Sequence, residues 1–154
     1  MLHAVPTSWL SSKFRIEDGG RDVGQLDLAA IRERATFTVK DVEFALYREG
    51  LVSGDFVLDF HGSAIAVAQK PSAFRQRFTL SFDERHYTLE AASVMGRTFV
   101  LREGDVEAGR VSPVDWFSRK AEIDLPESVP LPIQVFCFWL VLILWKRAAA
   151  AASG

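Results

Sequence analysis

This chain has few cysteine and histidine residues, and its positive and negative charges nearly balance. Of its 154 residues one is cysteine and three are histidine, and 18 Lys and Arg stand against 20 Asp and Glu. Because Cys137 is alone, an intrachain disulfide is excluded, and a buried apolar role in a reducing compartment is expected. The formal charge of −2 gives no electrostatic footprint for nucleic acid, so nucleic acid is not an expected partner.

Motifs of catalysis and metal binding are also missing from the sequence. His3, His61 and His86 lie far apart and have no second ligand at metal-binding spacing, so neither a metal nor another cofactor is expected. No serine stands in a Gly-x-Ser-x-Gly setting, and no glycine-rich phosphate loop is present. Asp83 and Glu84 fall where a hairpin turn is expected, and we interpret them as solvated. The sequence therefore predicts a protein that is not an enzyme, with no catalytic residue.

The sequence does contain a long apolar run near its C-terminus. From residue 133 to residue 145 the one polar residue is Gln134, and such a run is too long for a typical buried strand of about 4 to 8 residues. Pro132 suits the first turn of a helix. Lys146 and Arg147 suit its negative C-terminal end, and the following alanines extend it. We therefore predict a helix over 131–152 that is apolar on every side.

Either lipid or protein must cover a helix that has no polar face. Residues 131–147 span about 25 Å, which is short for a bilayer core of about 30 Å. A membrane anchor that used the alanines would also enclose the two cations Lys146 and Arg147. Protein is the favoured cover, and a tail-anchored membrane protein with a small cytoplasmic β domain is the alternative. Because the first ten residues resemble no secretory signal, we expect a cytoplasmic protein, with membrane association left open.

Between residues 14 and 125 the apolar residues alternate with a period of two, which is the pattern of strands with one buried face. Turn residues separate the strands, and the spacing predicts an antiparallel meander. Only residues 27–34 suggest a short helical turn. The alternating residues are Phe14 and Ile16, Leu26 and Leu28, Phe37 and Val39, Phe44 and Leu46, Phe56, Leu58 and Phe60, Ile65 and Val67, Phe78, Leu80 and Phe82, Tyr87 and Leu89, Phe99 and Leu101, and Ala121, Ile123 and Leu125. The expected turns are Asp18-Gly19-Gly20, Glu49-Gly50, Ser53-Gly54, His61-Gly62, Met95-Gly96 and Gly104-Asp105.

The apolar faces of these strands must be buried and their edges must be paired. Closing the sheet into a barrel achieves both. A closed sheet of this size is too wide for its own side chains to fill, and the apolar helix supplies the missing interior. We therefore predict one domain over 1–154 with a mainly β fold. It is a closed antiparallel β-barrel of about 10–12 strands, formed by 14–125, that encloses the hydrophobic C-terminal α-helix at 131–152.

The order of these elements resembles a known superfamily. Alternating strands lead to Ile123-Asp124-Leu125-Pro126 and Pro130-Leu131-Pro132, and the apolar helix follows. This order is similar to that of tubby C-terminal domains, phospholipid scramblases and LURP-one-related proteins. The resemblance covers nearly the whole chain and implies a twelve-stranded barrel around a hydrophobic helix, with roles in phosphoinositide binding, lipid movement or defence signalling. Nothing matches the calcium loop or the proline-rich and cysteine-rich segments of scramblases, so scrambling is not implied.

One stretch of the sequence is locally basic. Between residues 70 and 102 six cations stand against three acidic residues. Arg75 and Arg77 alternate with Phe74 and Phe78, so we expect the two arginines to point outward and the two phenylalanines inward. We predict an anionic-headgroup site at Lys70, Arg75, Arg77 and Arg85. An ordinary solvated face is the alternative.

The function hypothesis that follows is a non-enzymatic binding or scaffold domain. Its expected ligand is an anionic lipid or phosphoinositide on a membrane surface, and an unidentified protein partner is also expected. Trp9, Trp116 and Phe117 lie outside the alternation. We expect them to cap the barrel ends, with contact to a partner as the other interpretation.

Overall fold

The computed structural model describes residues 1–50 and 54–154, and this part of the chain forms twelve strands and one helix. Each strand pairs antiparallel with its neighbours in sequence, and the first strand pairs with the last, which closes the barrel. The strands are β1 Leu2–Pro6, β2 Lys13–Asp18, β3 Arg21–Leu28, β4 Arg34–Val39, β5 Val42–Arg48, β6 Phe56–Phe60, β7 Ser63–Gln69, β8 Arg77–Phe82, β9 Arg85–Ala91, β10 Phe99–Glu103, β11 Val106–Pro113 and β12 Ala121–Asp124, and the helix is α1 Leu131–Ser153. The predicted fold class is confirmed.

The helix α1 fills the barrel. Its residues 133–144 are buried, and they include Gln134, whose amide donates to the carbonyl of Val129 at 2.8 Å. The ring of Phe138 packs edge-on against that of Phe14 in β2, with 5.3 Å between the ring centroids. The ring of Trp139 packs against that of Phe56 in β6, with 5.9 Å between the centroids. By length and composition α1 could cross a membrane, yet 61% of its most apolar stretch is buried inside the barrel. The barrel wall covers the apolar part of the helix, as predicted.

The two ends of the barrel have different connections. At one end, which we call the turn end, strands are joined by tight turns at residues 19–20, 40–41, 61–62, 83–84 and 104–105. At the other, the loop end, the connections are longer and span residues 7–12, 29–33, 70–76, 92–98 and 114–120, and residues 49–50 and 54–55 between β5 and β6 also lie there. Because β12 runs toward the turn end, α1 enters the barrel there and emerges at the loop end. The hydrogen bond from Trp145 Nε1 to the carbonyl of Arg97, at 3.0 Å, places the helix exit beside loop 92–98.

Irregularities in strand pairing recur around the wall. The register shifts after Ile16 in β2, after Leu58 in β6 and after Leu101 in β10. The shifts therefore occur on every fourth strand, and each lies in the pairing of that strand with the next strand in sequence. Bulges bend a strand and increase its twist, so three of them at equal intervals help a sheet of twelve strands to close.

Some sequence predictions need correction. The barrel begins at Leu2 and not at residue 14, because β1 forms the seam between β2 and β12. Residues 27–34 form no helical turn: they hold the end of β3, a bend and the first residue of β4. The predicted turn at Ser53-Gly54 lies partly outside the described residues.

In β7 the predicted buried face was wrong. Ala66 and Ala68 face the interior, whereas Ile65 and Val67 are only half-buried. Ala66 pairs with Leu58 and Ala68 with Phe56. The interior beside Phe56 is occupied by the indole of Trp139, so small side chains fit the inner face of β7.

Candidate functional site

The loop end carries the most exposed large apolar side chains of the described residues. Phe74 is 98% exposed, Trp116 84% and Trp9 83%. Soluble proteins seldom gather such groups on one face without a function for them. The set comprises Trp9 and Leu10, Ile31, Phe74, Val94 and Met95, and Trp116 and Phe117. Five different loops therefore each present an apolar tip to solvent.

Four of these residues depart from their predicted positions. Trp9, Trp116 and Phe117 do not cap the barrel, because they point away from it. Phe74 does not belong to the buried face of β8, because the strand begins only at Arg77. The helix α1 fills the interior of the barrel, so these side chains are not part of the core.

Hydrogen bonds hold the loop carrying Trp116 and Phe117 in shape. Asp115 accepts from the backbone amides of Phe117 at 3.2 Å and Ser118 at 2.6 Å. Hydrogen bonds from the side chain and backbone of Ser118 lower the pKa of the Asp115 carboxyl. The loop is therefore ordered from within, and the aromatic side chains at its tip are exposed.

Arginines join this loop to its neighbours. Arg119 donates to the backbone oxygen of Ser11 at 2.6 Å and to that of Trp9 at 3.2 Å. Arg97 donates to the backbone oxygens of Asp115 and Trp116, each at 3.4 Å. Loops 7–12, 92–98 and 114–120 are thereby connected into one rim.

Charge is separated between the two ends of the barrel. Counting the connections, the two strand residues next to each of them and the exit of α1, the cations of the loop end are Lys13, Arg32, Arg34, Arg48, Lys70, Arg75, Arg77, Arg97, Arg119, Lys120, Lys146 and Arg147, and its acidic residues are Asp27, Glu33, Glu49, Asp55, Glu90, Asp115 and Glu122. By the same count, the acidic residues of the turn end are Glu17, Asp18, Asp22, Asp41, Glu43, Asp59, Asp83, Glu84, Glu103, Asp105, Glu107, Asp124 and Glu127, and its cations are Arg21, Lys40, Arg85 and Arg102. A chain with a formal charge of −2 therefore has a basic end and an acidic end.

Two of the four predicted site residues lie in one hollow. Arg75 and Arg77 line a depression of about 450 Å³ on the wall near the loop end, with Phe74 and Val94 at its edge and Glu90 as its one acidic residue. The Nε atom of Arg77 is buried and has no hydrogen-bond partner among the described residues. The hollow combines positive charge with an apolar edge.

A second hollow, which we call the helix-side hollow, lies between α1 and the loop that joins β3 to β4. Its volume is about 260 Å³, and Trp139, Leu142 and Ile143 form an apolar floor. Cationic side chains line its rim, and they are those of Arg32, Arg34, Lys146 and Arg147. Glu33, also at the rim, accepts through Oε1 from Arg147 at 2.6 Å and pairs with Arg48 at 3.0 Å.

The third predicted site residue, Lys70, lies near this second hollow. Its ammonium donates to the backbone oxygen of Ser72 at 2.6 Å. Burial, and next the positive charge of Arg147, lower the pKa of Lys70. Lys70 therefore adds to the positive potential where the helix emerges.

The fourth predicted residue, Arg85, lies elsewhere. It begins β9 at the turn end, and its guanidinium pairs with Glu103 at 2.7 Å. Arg77 and Phe82 are the two ends of β8, so about 17 Å of strand separates Arg77 from the turn that precedes Arg85. The structure gathers Lys70, Arg75 and Arg77 near one end of the barrel and places Arg85 at the other.

One contact between a hydroxyl and an imidazole has no signal in the sequence. Ser81 Oγ lies 3.0 Å from His86 Nδ1 on neighbouring strands. Both residues are exposed on the outer wall, and neither lines a hollow described above. In residues 1–50 and 54–154 no group of three His, Cys, Asp or Glu side chains is arranged to hold a metal ion.

The fold and this end of the molecule define a closed antiparallel barrel with a core helix and a rim that is both basic and apolar. Comparison with family models, with curated proteins and with solved structures found no match to this chain. The resemblance to tubby-like, scramblase and LURP-one-related proteins stays a prediction.

Proposed function

We propose that the loop end of the barrel binds anionic membrane surfaces as a non-enzymatic binding domain. The observation that carries the proposal is the coincidence of exposed apolar tips and positive charge at one end of the molecule. Aromatic side chains favour the boundary between headgroups and acyl chains. Each Lys or Arg near an anionic surface contributes about 1 kcal/mol of binding free energy.

The arrangement of the tips favours a membrane over a protein partner. A protein interface needs a continuous apolar core that fits a complementary surface. Here Trp9, Phe74 and Trp116 lie on separate loops around a rim, with cations between them. Tips that are spaced around a rim can each enter a fluid interface without a matching protein surface, which suits lipid.

The acidic turn end favours one orientation of the molecule at a membrane, with the loop end toward the lipid. A negatively charged membrane attracts the basic end and repels the acidic end, so the molecule approaches with its loops first. The hollow containing Arg75 and Arg77 then faces the headgroups from the side. Phosphoinositides, the ligand class that the family resemblance implies, carry the highest headgroup charge and are the lipids we expect to bind best.

Vesicle flotation tests the proposal. Full-length protein is mixed with phosphatidylcholine vesicles, with vesicles containing about 30% phosphatidylserine, or with vesicles containing a phosphoinositide. We expect recovery only with the anionic vesicles. Recovery should fall as salt rises from about 0.1 M to about 1 M, because screening then shortens from about 10 Å to about 3 Å.

Three pairs of substitutions identify the surface. Lys70→Glu with Arg75→Glu reverses charge at the loop end, and Trp116→Ala with Phe117→Ala removes one apolar tip; both should reduce recovery severalfold. Arg21→Glu with Lys40→Glu makes the same charge change at the turn end and should leave recovery unchanged. Equal losses from the two charge-reversal pairs, or no loss from the first, would contradict the proposal.

A tail-anchored membrane protein is a second candidate, favoured by the length and apolarity of α1. In that arrangement the helix would have to leave the barrel and enter the bilayer. Alkaline carbonate extraction of cell membranes separates the candidates. Release into the supernatant agrees with loop-end binding, whereas retention in the pellet favours the anchor.

A further inference from the structure

The helix-side hollow has features of a site for one small molecule. One face of α1 forms its inner wall, because Trp139, Leu142, Ile143, Lys146 and Ala150 follow each other at helical spacing. The first three are apolar and the fourth is cationic, so the wall changes from apolar inside the barrel to basic at the exit. A ligand that matches this wall has a hydrocarbon part and a charged head.

The charges at the rim call for an anion. Glu33 is the one acidic residue lining the hollow, and its Oε1 already contacts both Arg147 and Arg48. Arg32 and Lys146 also stand at the rim, and burial, followed by the nearby charge of Arg147, lowers the pKa of Lys70. One carboxylate cannot compensate this many cations, so the mouth attracts negative charge from solution.

The backbone at the rim is held in an uncommon conformation. Arg32 has a φ of 74°, in the left-handed region that residues other than glycine seldom adopt. The amide of Arg34 donates to the carbonyl of Arg32 at 3.1 Å across this bend. The other described residues with this conformation besides glycine, Lys40, His61, Asp83 and Glu84, lie in hairpin turns, whereas Arg32 lies in a longer loop where the conformation fixes the direction of a rim side chain.

We propose that the helix-side hollow binds a single-chain anionic amphiphile, such as a fatty acid or a lysophospholipid. The chain packs against Trp139, Leu142 and Ile143, and the acidic head lies between the side chains of Arg32, Lys146 and Arg147. The volume of about 260 Å³ lies just below the range of ordinary ligand pockets, about 300 to 1,000 Å³, which suits one chain. Binding of a dissolved monomer needs no membrane, so this site is independent of the proposed function.

Calorimetric titration of the full chain with monomeric decyl phosphate, below its micelle concentration, tests the site. Three further ligands separate the sources of affinity: inorganic phosphate has the head alone, decanol the chain alone, and decyltrimethylammonium the opposite charge. We expect saturable binding of one decyl phosphate per chain, at least tenfold tighter than any of the other three. Comparable binding of inorganic phosphate, of decanol or of the cationic amphiphile would overturn the proposal.

Helix variants locate the binding. Ala150→Phe places a ring in the hollow from an exposed part of α1 and should abolish saturable binding, while Ala151→Phe, which points to another side of the helix, should leave it intact. Lys146→Glu reverses an exposed rim charge and should weaken binding about tenfold or more. Equal affinity of wild type, Ala150→Phe and Lys146→Glu would overturn the proposal.

The two proposals can fail separately. The Trp116→Ala, Phe117→Ala double variant should reduce vesicle recovery severalfold and keep decyl phosphate binding. The Ala150→Phe variant should show the opposite behaviour. A protein that never binds vesicles but takes up decyl phosphate would disprove only the membrane proposal.

Discussion

Trp145 and Arg97 contact each other through two different pairs of groups. The indole Nε1 donates to the backbone oxygen of Arg97 at 3.0 Å, and the guanidinium carbon of Arg97 lies 4.5 Å from the centre of the indole ring. Arg97 also reaches the backbone of loop 114–120. This pair therefore connects the end of the core helix to the rim that carries Trp116 and Phe117.

Trp145→Phe should weaken this connection while keeping an aromatic ring. The variant loses one hydrogen bond to a backbone oxygen, so we expect the free energy of unfolding to fall by about 1 kcal/mol. Urea denaturation followed by circular dichroism measures the change. Trp116→Phe is the control, since its ring is exposed and the loss should stay within about 0.5 kcal/mol. Equal effects of the two substitutions would mean that the Trp145 contact contributes nothing.

Trp139→Ala should destabilise the barrel far more. The indole is 2% exposed and packs against Phe56 and Phe136. Removing it leaves a cavity, and we expect a cost of about 3 to 5 kcal/mol. Trp9→Ala, at a site 83% exposed, removes the same side chain and should cost almost nothing. A melting curve of Trp139→Ala that overlays that of wild type would place the helix outside the barrel.

Gly109→Ala tests the close approach of β11 and β12. A Cβ atom at Gly109 would lie 2.3 Å from the backbone oxygen of Asp124, which cannot move without displacing the strand. We expect a loss of about 1 to 3 kcal/mol in unfolding free energy. Gly96→Ala is the matched control, because the one close contact of its new methyl group would be with the rotatable hydroxyl of Ser93. If both variants have wild-type stability, the two strands are not packed as described.

Cys137 should be inert in the folded protein. Burial raises the pKa of its thiol to about 12, so at pH 8 only about one thiol in ten thousand is ionised. Ellman's reagent should react only after guanidinium unfolds the chain, and in folded protein the thiolate population rises only as the pH approaches 12. The Ser8→Cys variant offers an exposed thiol that should react at once. Reaction of Cys137 at a similar rate would show that reagent enters the barrel.

The strand pattern predicted the fold well, because a half-buried strand must alternate and a helix without a polar face must be covered. It failed in β7, where the interior narrows around Trp139 and alanines replace the larger residues that normally signal a buried face. It also missed β1, whose Leu2 and Ala4 become a recognisable buried pair only once β12 lies beside them.

The candidate site was predicted less well than the fold. A basic stretch was visible between residues 70 and 102. Counting charges along the sequence, however, does not show at which end of a meander each residue lies. Arg75 and Arg85 are close in sequence and lie at opposite ends of the barrel. Trp9 and Trp116 resembled core residues by type, and only the closed barrel around α1 revealed that no interior space remained for them.

The pairing of β1 with β12 has a consequence for synthesis on the ribosome. The wall has no closed form until its last strand has been made, and the helix that fills it is translated later still. For most of its elongation the nascent chain therefore carries an open sheet whose apolar face is exposed, and such a face promotes aggregation. We expect chaperones to bind ribosome-attached chains that stop before Leu131 and to release them once the complete helix has emerged.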